Sequence, residues 1–94
     1  MTDEQLLAEV KLRIGVTGSY QDDKIQGYID DVKLFMSDAG VAGTVLESKQ
    51  IVGAVARGVS DLLYGYGGGD GDFSEFFYRR VTQLTYQKDG GSNE

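Results

Sequence analysis

Leu62-Leu-Tyr-Gly-Tyr-Gly-Gly-Gly-Asp-Gly-Asp-Phe-Ser-Glu-Phe-Phe-Tyr-Arg-Arg-Val-Thr-Gln-Leu84 sets the organisation of the chain, because an apolar helical pattern stops there, glycine takes over, and an aromatic-basic segment follows. Six residues of Gly and Asp, 67–72, have no apolar surface to bury. Such a run reads as a mobile tether and hinge, with the Phe-rich segment beyond it as a reaching element. Ser74 is placed to cap a short helix in which Phe76, Phe77, Arg80, Val81 and Leu84 share a broad face. Beyond Arg80 the run Val-Thr-Gln-Leu-Thr-Tyr is rich in β-branched and aromatic residues, so an extended arm is the alternative there. Arg80, among apolar neighbours, either snorkels to water or meets a carboxylate at an interface.

Upstream, a helix is expected from Glu47 or Ser48 to Tyr64 or Tyr66, with Ile51, Val52, Val55, Val59, Leu62 and Leu63 on its buried stripe. Gly53 and Gly58 lie inside it, each costing about 1 kcal/mol relative to Ala. Close packing within the bundle or against another subunit would offset that loss. A second helix begins between Ser19 and Asp23, buries Ile25, Ile29, Val32 and Met36, and stops at Gly40. Its opposite face carries Asp23, Asp30 and Leu34. The first helix starts at a capping box, Thr2 with Gln5, and buries Leu6, Leu7, Val10 and Ile14 before Gly15. Leu12, like Leu34, stands opposite its helix's apolar stripe. The pattern predicts an all-α fold: three main helices plus a short C-terminal helix or arm, in one domain over residues 1–87. A disordered polar tail is expected over 88–94.

At 94 residues the chain has a thin core, burying roughly 60 to 65% of its unfolded surface. With no cysteine there is no disulfide to reinforce it, which makes self-association the natural route to stability. The absence of Cys and His removes thiolate and imidazole chemistry, both as nucleophile or base and as metal ligand. What remains does not suggest an enzyme, and no catalytic, cofactor or metal residue is assigned. The charge of −6 is uneven, with nine acids against four bases in Met1–Glu47 and six against five in Ser48–Glu94. That sign disfavours a grip on phosphate backbones. No apolar run is long enough to span a bilayer, and the opening residues lack the basic start of a signal peptide, so synthesis in the cytosol is expected.

Two chemical readings of the glycine-rich run fail on its residues. As a calcium loop beginning at Asp70 it would place Val81 where a bidentate glutamate is needed. As a nucleotide loop it follows a helix rather than a strand and lacks the Lys-Ser/Thr ending. Asp23 and Asp30, without another chemical group beside them, read as a solvated helix face.

The arrangement resembles the phage head-to-tail connector family, the adaptors that bind beneath the portal and join capsid to tail. The resemblance rests on Asp22-Asp-Lys-Ile-Gln-Gly-Tyr-Ile-Asp-Asp-Val, on Val59-Ser-Asp-Leu-Leu-Tyr, and most specifically on Phe73-Ser-Glu-Phe-Phe-Tyr-Arg-Arg-Val-Thr-Gln-Leu after the glycines. It implies a helical virion protein made in the host cytoplasm and assembled into a ring, dodecameric in the virion, that encloses the DNA channel. The partners implied are the portal protein and a tail-side connector or stopper. DNA would pass without specific binding, and acids facing the channel, with Asp23 and Asp30 as candidates, would repel it. Leu34, Phe73, Phe76, Phe77, Arg79 and Arg80 are the candidate interface residues, with Arg79 or Arg80 pairing with Asp23 or Asp30 of the next subunit. The competing expectation is a small acidic regulatory module that binds a protein through the same aromatic segment.

Overall fold

The computed structural model describes residues 1–65 and 73–87, which form an all-α bundle. The elements are α1 (Asp3–Ile14), α2 (Asp22–Asp38), α3 (Gly43–Leu46), a 3-10 turn at Lys49–Ile51, α4 (Val52–Tyr64) and α5 (Glu75–Leu84). The expected glycine tether and hinge, 67–72, and the expected disordered tail, 88–94, lie outside the described residues.

Local chemistry sets the ends of these helices. Thr2 Oγ1 accepts the Gln5 N–H while the Gln5 side chain accepts the Thr2 N–H, and Asp3 and Glu4 oppose the positive end of the α1 dipole. Gly15 then closes α1 in the left-handed region at φ 78°. Lys11 ties the next turn to α2, donating to the Gly18 carbonyl and lying 2.6 Å from Asp22 Oδ1. The third expected helix is broken in two. Ser48 Oγ accepts the Gln50 N–H and donates to the Val45 carbonyl, so the chain makes a 3-10 turn and enters α4 only at Val52. Gly65, at φ 74°, ends α4 at Tyr64.

α4 is the central element, with α1 and α2 packed chiefly against it and α5 closing over it. Its burial is wider than one apolar stripe, taking in Val52, Ala54, Val55, Ala56, Gly58, Val59 and Asp61. The small residues permit this by letting three helices approach one backbone. Gly58 shows it directly: an added Cβ would stand 2.7 Å from Phe77 Cε1 and 2.9 Å from Val32 Cγ2. Close packing within the bundle therefore explains this glycine, which makes room for α2 and α5 at once. Gly53 is different, since a Cβ there would meet nothing within 4 Å.

α5 is helical through Leu84, with Val81 and Leu84 buried, so the extended-arm alternative fails over 81–84. Those two side chains gain more by entering the core, about 1.5 to 3 kcal/mol each, than a strand propensity without a partner strand can supply. Among the described residues, no helix is long and apolar enough to cross a membrane.

Candidate functional site

The aromatic-basic block is held against the bundle at its entry rather than carried free of it. Ser74 caps α5 by accepting the Phe77 N–H at 3.2 Å. A capping box would also need Glu or Gln three residues after the cap to accept the Ser74 N–H, and Phe77 occupies that position. Asp61, on α4, takes over this role: its Oδ2 accepts the Ser74 N–H at 2.8 Å. Arg57, one turn earlier on α4, completes the group, its Nε donating to Ser74 Oγ at 3.2 Å and lying 3.3 Å from Asp61 Oδ1. Asp61 is fully buried. A buried carboxylate is costly unless paired and hydrogen-bonded, and this one is hydrogen-bonded to a backbone donor through Oδ2 and ion-paired with a guanidinium through Oδ1, which accepts no hydrogen bond from the described residues.

Beside this polar junction lies an aromatic cluster that joins α2 to α5. Phe73 stacks on Phe77 with centroids 4.3 Å apart, and Phe35 of α2 lies 5.2 Å from Phe73 and 5.7 Å from Phe77. Tyr78 meets Phe35 edge-on at 5.7 Å. The expectation of a freely reaching segment is thus corrected by polar and aromatic contacts that fix Phe73 and the start of α5 to this same chain. Phe77 is corrected most fully. At 0% exposure it is a core residue and no candidate for contact with another protein, because the helix turns it inward with Val81 and Leu84.

The outward side of α5 carries Glu75, Tyr78 and Thr82 and, beside them, a flank that includes the remaining candidates. Phe76, Arg79, Arg80 and Gln83 follow the i, i+3, i+4, i+7 spacing that places residues side by side on a helix. Phe76 is 64% exposed, and the Arg57 guanidinium sits 5.6 Å from its ring centroid. Arg79 pairs with Glu75 at 3.2 Å, an exposed ion pair whose contribution to stability is small. Arg80 is half-buried and donates to Gln83 Oε1 at 3.0 Å, so it reaches the surface along the helix rather than meeting a carboxylate of its own chain. On the outer face of α2, Asp23, Asp30 and Leu34 are exposed, with Leu34 at 62% and Asp30 accepting from Gln26 Nε2 at 2.9 Å. Leu12 is exposed on α1.

The sequence reading missed Asp61 and Arg57. The signal was present: an acid inside the apolar run Val59-Ser-Asp-Leu-Leu, four residues after a base, marks a charge that burial must partner.

An open groove of about 500 Å³ lies elsewhere, between α1 and the chain at Glu47–Lys49. Its hydroxyl, Ser48, donates and accepts within the 3-10 turn, and the charged side chains around it are Glu9, Glu47 and Lys49, with the Met1 ammonium donating to the Glu47 carbonyl. Among the described residues there is no cluster of carboxylates able to hold a metal ion. No protein family is matched by this chain, and no curated protein or solved structure resembles it significantly.

Proposed function

We propose that this chain is a structural adaptor of the phage head-to-tail connector type, a ring-forming protein that joins the portal to the tail around the DNA channel. The observation that carries the reading is the form taken by its most specific resemblance. The block Phe73–Leu84 forms α5 and its entry, locked to the bundle by Asp61, Arg57 and Phe35, with Phe76, Tyr78 and Arg79 exposed and Arg80 half-buried beside them. Aromatic and Arg side chains on a rigid element are the usual anchors of a protein interface. An adaptor needs such a fixed surface, since ordering a loose segment at each contact would cost conformational entropy.

Charge supports the same reading. Phosphates pass a wall of carboxylates without sticking, over the range that salt screening permits, and the first half of the chain is strongly acidic. In this function the protein has no cofactor and no catalytic step.

A phage whose genome encodes the chain provides the test. With the coding sequence interrupted, infected cells should accumulate separate heads and tails, and adding the purified protein to an extract of those cells should join them. Normal numbers of joined, infectious particles without the chain would exclude the adaptor role and favour a regulatory one.

A further inference from the structure

We infer that the basic flank of α5 docks on the acidic face of α2 of a second copy, with Phe76 seated over Gly27. As an account of how ring neighbours meet, this rests on the adaptor reading; as a contact between copies it stands on three observations.

The first is charge. Arg79, exposed and paired with Glu75 of its own helix, and half-buried Arg80 stand on one flank of a chain whose net charge is −6, and Asp23 and Asp30 stand in line on another helix. The two surfaces are complementary in sign, which orients an encounter as well as holding it.

The second is placement. α5 turns its Tyr78 side toward Phe35 of α2 and its Phe76 side toward Arg57 of α4. The arginine flank is therefore directed away from α2 of its own chain, and the two surfaces meet only between copies. A contact between two different surfaces is head-to-tail, and repeating it builds a closed ring or an open filament rather than a twofold dimer.

The third is Gly27. It lies in the interior of α2, is exposed, and an added Cβ would meet nothing within 4 Å. A glycine there costs the helix about 1 kcal/mol relative to Ala, and packing among the described residues supplies no reason for it. Asp23, Gly27, Asp30 and Leu34 share one face, so the glycine makes a notch between the two carboxylates. With Phe76 in that notch, Arg79 and Arg80 lie about 4.5 to 6 Å further along α5, and Asp30 lies about 4.5 Å further along α2. Gln83 then falls near Leu34. In this alignment Arg79 and Arg80 fall beside Asp30, while Asp23 lies about 6 Å the other way, before the start of α5, so the register pairs the arginines with Asp30.

Because the chain contains no cysteine, disulfide trapping reads the contact cleanly. Asp30→Cys and Arg79→Cys proteins, both changed at exposed sites, are mixed at high concentration and oxidised. The mixed disulfide should exceed either homodimer by about tenfold, against the roughly twofold excess of random encounter. Gly27→Gln serves as a second variant, expected to raise the melting temperature through better helix propensity while reducing the mixed product by about threefold or more. Random proportions, or no effect of Gly27→Gln on the yield, would overturn the inferred contact and leave the adaptor reading standing. A mixed product from a chain whose removal leaves virions intact would do the reverse.

Discussion

Phe77→Ala should lower the unfolding free energy by about 3 to 5 kcal/mol, the range for removing a fully buried aromatic side chain. A domain of this length has in total roughly 5 to 14 kcal/mol, so the variant should be partly unfolded at moderate temperature. The size of the effect follows from the number of elements that share the ring. Phe77 stacks on Phe73, meets Phe35 of α2, and presses on Gly58 of α4 where no larger residue fits. Its loss leaves a cavity where α2, α4 and α5 meet. Phe76→Ala, one residue earlier, should cost no more than about 1 kcal/mol, the contribution of a partly exposed ring under a guanidinium. Urea denaturation of the two variants checks this. Similar losses from both would contradict the assignment of Phe77 to the core and Phe76 to the surface.

Asp61→Ala should destabilise by about 2 to 4 kcal/mol, since it removes the acceptor of the Ser74 N–H and the negative charge paired with the Arg57 guanidinium. Arg57 retains partial access to water, which places the effect below the loss expected for a wholly enclosed pair. Asp61→Asn keeps an acceptor for the Ser74 N–H while removing the ion pair, and should cost about half as much. The damage should concentrate at the start of α5, where hydrogen exchange of the Phe77 amide should accelerate well beyond that of amides in α1. Uniform acceleration through the bundle would mean that Asp61 supports the whole core rather than the α4–α5 junction.

These residues also show how far the chain could be read before its structure. Helical period and caps disclosed α1, α2 and the start of α5, because Thr2 with Gln5, Ser74, and the stripe Ile25, Ile29, Val32 and Met36 act locally. The break before α4 was hidden because Ser48 reads equally well as the start of a helix or as the cap of a 3-10 turn. The docking of the aromatic block was hidden for another reason. A Gly-Asp run announces freedom in the residues that compose it, whereas the position of the segment beyond it is decided by groups distant in sequence, here Asp61, Arg57 and Phe35. Phe76 and Phe77 are adjacent and chemically alike, and only the helix phase fixed by Ser74 and Asp61 sends one to the surface and the other to the core. Leu34, Asp23 and Asp30 were placed on the outer face of α2 by period alone, and the structure has them exposed there.

Electron cryo-microscopy of intact virions made with this chain tests the adaptor claim most directly. A ring of small helical subunits is expected between portal and tail, each with its α5 flank of Phe76, Arg79 and Arg80 against Gly27 and Asp30 of the neighbouring subunit's α2. Density at that position accounted for wholly by other proteins, with this chain missing from the particles, would contradict it.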